Sequence, residues 1–277
     1  MILRTKYKQR KGLDIFGKYA EYYDILYQDK DYFAEALFVS GLIKKNCRKA
    51  SHIRVLDLAC GTGLHAVELA KMGYEVDASD MSGKMINVAK ENARLGKVKI
   101  TYHQESFQTA EKINKKFDVV ISMFSAINYL TSHGDLLRSL KNIYGLLENG
   151  GIFIFDFWSG NAVIEGFAPV RIKRMSRGTS SILRYSKNTI DRLKHLVHVR
   201  FNFMFFNKNK LVSEFAENHI CRYFFIREME DCLNISGFKV IHKCPFMSPN
   251  KSISCNDWNA TFVAKKSSIQ NYSNTIP

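Results

Sequence analysis

Residues 55–63, Val-Leu-Asp-Leu-Ala-Cys-Gly-Thr-Gly, constrain the fold of this 277-residue chain more than any other stretch. The first four read as a short apolar strand, a turn with two glycines comes next, and a helical pattern follows over 62–72. Strand, glycine turn and helix in this order form the first βα unit of a doubly wound α/β sheet. Glycine tolerates positive φ and, without a Cβ, lets a ligand lie against the backbone. The N–H groups that open the helix would then face that ligand.

The βα rhythm continues as far as Trp158. Apolar and alternating runs predict strands over 74–80, 98–102, 117–124 and 152–158. Helical spacing predicts helices over 31–45, 82–95 and 134–147, with Ser82 as an N-cap, and Asn149-Gly150-Gly151 predicts a turn. The loop at 125–130 lies at the carboxyl end of a predicted strand, where open α/β sheets bind ligands.

After Trp158 the pattern changes to short alternating stretches, with a hairpin turn predicted at 207–210. We expect these residues to form an antiparallel insertion that covers the edge of the sheet where the ligand binds. A helix over 226–236 and strands over 238–242 and 258–265 then resume the core pattern. The predicted division is a helical lid (1–50), an α/β core (51–159), the insertion (160–225), completion of the core sheet (226–266) and a flexible tail (267–277).

The chain is strongly basic, with a formal charge of +15 from 41 Lys and Arg against 26 Asp and Glu. The charge concentrates in residues 1–18 and again over 171–200. A basic surface attracts phosphates of a nucleotide, a lipid or a nucleic acid, and the alternative is a solvated lysine-rich face. The sequence has no apolar run long enough to span a membrane, and residues 1–18 lack the apolar stretch of a signal peptide. Six scattered cysteines, without CxxC pairs, predict free thiols in a cytoplasmic protein and no metal site.

Asp80 ends the second predicted strand, 17 residues after Gly63. A doubly wound fold places an acceptor for ribose hydroxyls at about this distance from its glycine turn. Ala66 stands where a dinucleotide fingerprint has its third glycine, and no Gly-Lys-Ser/Thr follows the turn. These departures favour a cofactor without a pyrophosphate.

Residues 55–63, 80–85, 117–124 and 148–155 together resemble the class I S-adenosylmethionine-dependent methyltransferases. The resemblance implies a Rossmann-like, seven-stranded sheet in the order 3-2-1-4-5-7-6, with strand 7 antiparallel. It also implies that Gly61 and Gly63 pass under the methionine part of the cofactor, that Asp80 holds the ribose and that Met81 packs on the adenine. The implied cofactor-binding residues are Tyr23, Asp57, Ala59, Gly61, Gly63, Asp80, Met81, Ser106, Phe107 and Met123.

Within that superfamily the chain looks most like the aminosugar N,N-dimethyltransferases of macrolide biosynthesis, on the motifs at 23–27, 30–36, 58–65 and 122–130. This resemblance implies that Tyr27 and Trp158 contact a nucleotide-sugar substrate. It also implies that residues 169–174, with Arg171 and Lys173, lie near the diphosphate of that substrate. One position departs from the family, because Ser106 stands where an Asp usually lies near the adenine amino group.

Tyr19, Tyr23 and Tyr27 follow helical spacing, which fits either core packing or a lid whose phenols face the site. His219 lies in an alternating stretch with Glu217, Cys221 and Tyr223 on the same face. Such a histidine would either take the proton that the methyl acceptor loses or hold the insertion to the sheet through hydrogen bonds.

The leading hypothesis is a methyltransferase that acts on a small-molecule acceptor, either an anionic nucleotide-sugar or a glycan, at nitrogen or oxygen. The alternative is an RNA or protein methyltransferase that uses the basic arm and the insertion, which leaves nucleic acid open as a partner. Ser125-Ala126-Ile127-Asn128 stands where amino-directed nucleic-acid methyltransferases carry Asn/Asp-Pro-Pro-Tyr/Phe. A third hypothesis is a binding module without catalytic activity. The argument against it is the complete set of predicted cofactor residues, Asp57, Gly61, Gly63 and Asp80.

Overall fold

The computed structural model describes residues 30–47, 49, 51–177 and 179–267. The predicted basic arm, the tyrosine stripe with Tyr23 and Tyr27, and the tail from 268 onward lie outside the described residues.

The described part alternates strands and helices up to Trp158 and then turns to antiparallel strands. The helices are α1 (Tyr32–Asn46), α2 (Leu64–Lys71), α3 (Gly83–Gly96), α4 (His133–Leu146), α5 (Gly160–Glu165) and α6 (Ile226–Ile235), with 3-10 turns at Ala110–Ile113 and Ala126–Tyr129. The strands are β1 (Arg54–Leu58), β2 (Glu75–Ser79), β3 (Thr101–His103), β4 (Phe117–Ser122), β5 (Leu147–Trp158), β6 (Val170–Arg177), β7 (Ser180–Asp191), β8 (Leu196–Asn207), β9 (Lys210–Arg222), β10 (Phe238–Pro245) and β11 (Asn259–Lys266).

The core is one seven-stranded sheet in the order β10-β11-β5-β4-β1-β2-β3. Five neighbouring strands pair in parallel, in the order β5-β4-β1-β2-β3. In contrast, β11 runs antiparallel to both of its neighbours, β5 and β10. Every residue of β4 is buried, as expected for a central parallel strand covered on both faces. The order and direction of these strands confirm the predicted methyltransferase-type sheet.

Local sequence explains where the helices begin and end. Ser82 caps α3 by accepting the Met85 N–H at 3.4 Å, as predicted, and Asp31 caps α1 through the Ala34 N–H at 2.9 Å. Gly73 (φ 93°) and Gly237 (φ 90°) follow α2 and α6 in the left-handed region that ends a helix.

The insertion is a separate four-stranded antiparallel sheet in the order β6-β7-β8-β9. Lys208 (φ 47°) and Asn209 (φ 62°) form the two-residue turn that joins β8 to β9, as the sequence predicts. One face of this sheet buries Met175, Ile182, Phe203 and Phe205 against Met85 of α3. This face therefore looks toward the core sheet, and we call it the inner face.

Several boundaries differ from the sequence prediction. The third strand is Thr101–His103 rather than 98–102, and β5 begins at Leu147, five residues before the predicted start. The predicted turn at 149–151 lies inside β5, where Gly150 has φ 77° and the pairing with β4 shifts register. The strand β6, which opens the insertion, was not predicted. Among the described helices, none is long and apolar enough to cross a membrane.

Candidate active site

The glycine turn joins β1 to α2 in a left-handed conformation. Ala59, Gly61 and Gly63 have φ of 63°, 56° and 73°. A Cβ on Gly61 would stand in open space, whereas one on Gly63 would lie 2.9 Å from the Cβ of Ala89 in α3. Gly63 therefore permits the close approach of two helices, and Gly61 leaves the surface of the turn open to a ligand.

Asp80 fixes this turn from the end of β2. Its Oδ2 accepts the Gly61 N–H at 2.9 Å and its Oδ1 accepts the Ser82 N–H at 2.8 Å. Burial raises the pKa of Asp80, and the two backbone hydrogen bonds oppose that rise. The carboxylate thus lies where the glycine turn and the start of α3 meet.

Asp57 is a buried acid within β1, with 1% of its surface exposed. Burial and, second, repulsion from Asp80 raise its pKa to about 7, while Lys30 and the Ala66 backbone act in the opposite direction. Within the described residues no hydrogen-bond partner faces its Oδ2. A buried acid with an unsatisfied oxygen beside an open glycine turn fits a ligand that carries positive charge, as S-adenosylmethionine does.

The other predicted cofactor residues follow the carboxyl ends of β2, β3 and β4, with differing accessibility. Met81 exposes 61% of its surface, which leaves it able to pack on a planar ring. Met123 and Phe107 are buried in the two core clusters, so a bound molecule would meet their backbone rather than their side chains. Ser106 contacts Thr109, with 3.2 Å between the two hydroxyl oxygens. Their roles in binding stay predictions.

A buried charged group between α1 and α2 was missed in the sequence. Glu35 Oε2 lies 2.7 Å from His65 Nε2 and 3.0 Å from Lys30 Nζ. The Lys30 ammonium also lies 3.5 Å from the centroid of the Phe124 ring. Burial lowers the pKa of Lys30, and His65 and Lys30 hold the pKa of Glu35 below its ordinary value despite burial. The separation of 30 residues between Glu35 and His65 left no local signal for this contact.

Asp156 holds the turn that follows β4. It is fully buried at the end of β5 and accepts the Ser125 N–H at 2.9 Å, the Ser125 hydroxyl at 2.8 Å and the Asn259 amide at 2.8 Å. Phe124 (φ 63°) and Ser125 (φ 57°) are consecutive left-handed residues, a costly conformation for side chains of this kind. The three hydrogen bonds stabilise it and so fix the start of the 3-10 turn Ala126–Tyr129.

The predicted acceptor residues Trp158 and Arg171 meet at a second tryptophan. Trp158 and Trp258 lie edge to face with their centroids 5.9 Å apart, and the Arg171 guanidinium lies 4.9 Å from the centroid of Trp258. Trp258 was not among the predicted residues. It directly precedes β11, which pairs with β5, and this pairing brings the two tryptophans together.

Basic residues line the inner face of the insertion. Lys173 of β6 lies directly opposite Arg184 of β7, in the same row as Phe203. Arg184 also lies 5.2 Å from the centroid of the Phe201 ring. Alternation places Arg171 on the same face as Lys173, whereas Arg174 points to the other face.

His219 links the insertion to the core. It is 3% exposed, its Nδ1 lies 2.9 Å from the Tyr129 hydroxyl, and its Nε2 lies 3.4 Å from Glu217 Oε2. Glu217, His219 and Cys221 share the inner face, as alternation predicts. Tyr129, which the sequence reasoning did not select, comes from the turn after β4 and is 40% exposed.

Comparison with known proteins agrees with this geometry. Residues 55–151 match the model of a family described as a methyltransferase domain. A dTDP-3-amino-3,4,6-trideoxy-alpha-D-glucopyranose N,N-dimethyltransferase of Streptomyces venezuelae is 26% identical, over 80% of this chain and 90% of that protein. None of the similarities favours the RNA or protein alternative over a small-molecule acceptor.

Two solved structures share the fold over most of both chains. A S-adenosylmethionine-dependent methyltransferase from Clostridium acetobutylicum has a TM-score of 0.78 at 24% identity and covers 91% of this chain and 98% of its own. Streptomyces venezuelae DesVI has a TM-score of 0.73 at 25% identity and covers 89% of this chain and 97% of its own. With the sheet order and the acids around the glycine turn, these similarities show a class I S-adenosylmethionine-dependent methyltransferase fold, with a methyltransferase domain matched over residues 55–151 and a resemblance to the aminosugar N,N-dimethyltransferases.

Proposed function

We propose that this enzyme methylates the amino nitrogen of a sugar that is linked to a nucleotide. The observation that carries the proposal is the pair of cations Lys173 and Arg184, directly opposite one another on the inner face of the insertion. A diphosphate would accept charge-assisted hydrogen bonds from side chains of this kind.

The surroundings of this pair suit the rest of such a substrate. Trp158 and Trp258 offer aromatic surface, and Arg171 adds a third cation beside them. The Streptomyces venezuelae relative is named for a dTDP-linked 3-amino sugar, which supports a substrate of this class. The predicted division of the chain, with the cofactor on 51–159 and the acceptor against 160–225, follows from the same proposal.

Bound S-adenosylmethionine supplies an electrophilic methyl group on a sulfonium. The protein has to hold the acceptor nitrogen in line with that methyl and to keep water away. Orientation of this kind supplies about 7–11 kcal/mol of the barrier in well-aligned systems. Asp57, Asp80 and the glycine turn would hold the cofactor, and the insertion would close the acceptor side.

The direct test is methyl transfer to dTDP-3-amino-3,4,6-trideoxy-α-D-glucopyranose, followed by mass spectrometry. The expected products carry one and two added methyl groups. Lys173→Ala and Arg184→Ala should each raise KM for the sugar about 10-fold, since a charge-assisted hydrogen bond contributes about 1.5–3 kcal/mol. Arg174→Ala is the matched control, because Arg174 lies on the opposite face of the same strand and should leave KM unchanged.

Absence of methylated product from wild-type enzyme, under conditions where S-adenosylmethionine binds, would refute the proposal. Filter binding with RNA tests the alternative function in the same preparation. Tight, salt-sensitive retention of RNA that Arg174→Ala weakens as much as Lys173→Ala would favour that alternative.

A further inference from the structure

Lys30 is a buried cation at the point where α1, the start of α2 and the turn after β4 meet. Its side chain is 10% exposed, and its Nζ lies 3.5 Å from the centroid of the Phe124 ring. Glu35 Oε2 lies 3.0 Å from the ammonium, but the same oxygen also lies 2.7 Å from Nε2 of His65. An ammonium group has three hydrogen-bond donors. Within the described part of the chain, no acceptor is aligned with any of them.

The buried ammonium of Lys30 is therefore only partly compensated. A buried charge needs hydrogen bonds as well as an opposite charge nearby. Burial lowers the pKa of Lys30, and the attraction of Glu35, the strongest of three nearby carboxylates, opposes this shift without cancelling it. A ligand that brings a further carboxylate would supply the missing acceptor oxygens.

The start of α2 provides the second half of an anion site. The helix has eight residues, and Gly63, which precedes it, has no side chain with which to cap its first N–H groups. The N–H groups at the amino end of a helix carry partial positive charge and bind anions. His65 lies in the first turn of this helix and contacts Glu35, which in turn contacts Lys30. The ammonium and the helix start therefore lie side by side at the glycine turn.

Asp57 provides a complementary site for positive charge. Its Oδ2 has no hydrogen-bond partner among the described residues. Burial and repulsion from Asp80 raise the pKa of Asp57, and the charge of Lys30 acts against both, which indicates that Lys30 and Asp57 lie near each other. An acid and a cation that both lack hydrogen bonds suit the two ends of a zwitterion. The methionine part of S-adenosylmethionine is such a zwitterion, with an α-ammonium and an α-carboxylate.

We propose that Lys30 binds the α-carboxylate of S-adenosylmethionine, together with the N–H groups that open α2. Asp57 serves the positively charged part of the same ligand. Glu35 and His65 are positioning residues, because they hold Lys30 beside the start of α2. The assignment concerns the cofactor alone and does not depend on which acceptor is methylated.

Isothermal titration of the full chain with two ligands tests this assignment. One ligand is S-adenosylmethionine. The other is its decarboxylated form, which keeps the adenosine, the sulfonium and the amine and lacks only the α-carboxylate. Wild-type enzyme should bind S-adenosylmethionine about 10- to 100-fold more tightly, which is the effect of one hydrogen bond between charged groups. Lys30→Met should remove most of this preference by weakening the binding of S-adenosylmethionine alone.

Two further variants serve as controls. Lys71→Met should bind both ligands as the wild type does, because Lys71 lies in the last turn of the same helix and pairs with Glu68. Lys30→Arg keeps the positive charge and should keep the preference for S-adenosylmethionine. In Lys30→Met, Glu35 retains its contact with His65, so α1 stays joined to α2.

The ratio of the two affinities separates carboxylate binding from a structural role. If Lys30→Met binds both ligands more weakly by the same factor, Lys30 only supports the fold of the site and the proposal is overturned. An unchanged affinity for S-adenosylmethionine in Lys30→Met overturns it as well. Neither titration contains a sugar acceptor, so a sugar that stays unmethylated would refute the proposed function and leave the assignment of Lys30 to these titrations.

Discussion

Asp80 joins the glycine turn to α3 through one carboxylate, since each of its oxygens accepts a different backbone N–H. Asp80→Ala should weaken binding of S-adenosylmethionine at least 10-fold in isothermal titration, because the turn loses its acceptor and the cofactor would lose the proposed partner of its ribose. A hydrogen bond to a charged acceptor contributes about 1.5–3 kcal/mol to stability. Asp135→Ala, at a half-buried acid in the first turn of α4, should bind as the wild type does. Equal affinity in Asp80→Ala and wild type would contradict the assignment.

Asp57 should make the stability of the unliganded enzyme depend on pH. Its pKa rises from 3.8 to about 7 on folding, so between these values the unfolded chain is ionised while the folded chain keeps its proton. The free energy of unfolding therefore falls as pH rises through this window, and the full penalty, on the order of 2–4 kcal/mol, is present above it. Asp57→Asn removes that penalty, so its melting temperature relative to wild type should increase from pH 4 to pH 8.

Asp118 supplies the matched control of opposite sign. Its pKa is lowered, against the effect of burial, by hydrogen bonds from the Arg54 N–H and from Lys49. Its carboxylate stabilises the folded state above the unfolded pKa, and that contribution is lost as pH falls. Asp118→Asn should therefore become less stable relative to wild type as pH rises. A shift of the same sign in both variants, measured by scanning calorimetry, would contradict the interpretation of Asp57.

At the scale of elements, two glycines distinguish the cost of a left-handed backbone from the cost of a steric clash between helices. Gly63 and Gly73 both have positive φ, but only a Cβ on Gly63 would meet another element, at 2.9 Å from Ala89 Cβ. Gly73→Ala should cost about 1 kcal/mol for the left-handed backbone alone. Gly63→Ala should cost about 1–3 kcal/mol more, because α2 and α3 must separate. Urea denaturation measures both, and equal losses would show that the approach of the helices is not limiting.

The same scale shows what sequence patterns predict well and where they fail. The unit from β1 through α2 to β2 was predicted because apolar runs, glycines and acids occur within a few residues of each other. The strand β6 was missed because its run Val-Arg-Ile-Lys-Arg alternates in a way that a charged loop also shows, and it becomes a strand by pairing with β7. The third strand was placed three residues early because its burial is slight, with Thr101 exposed and its neighbours half-buried.

At the scale of the molecule, the acceptor side depends on contacts between residues far apart in the chain. Tyr129 and His219 are 90 residues apart, and Ser125 and Asn259 are 134 apart. No local sequence pattern indicates which residues form such pairs. His219 was selected by its residue type and by its place in an alternating stretch, whereas its partner Tyr129 was not selected. Trp258 was missed for the same reason, because only the pairing of β11 with β5 brings it to Trp158.

Asp156 allows a test of whether this long-range assembly serves the site or only the fold. It joins β5, the turn after β4 and the first residue of β11, and it is fully buried. The Asn side chain of Asp156→Asn would direct its amide N–H groups toward groups that also donate hydrogen bonds. The free energy of unfolding should therefore fall by about 1–3 kcal/mol. Because this turn lies at the carboxyl end of β4, where open α/β sheets bind ligands, kcat should fall too. Asp118→Asn, at the amino end of β4, should lose comparable stability yet keep kcat, whereas a parallel loss of kcat in both variants would mean that catalysis responds to stability alone.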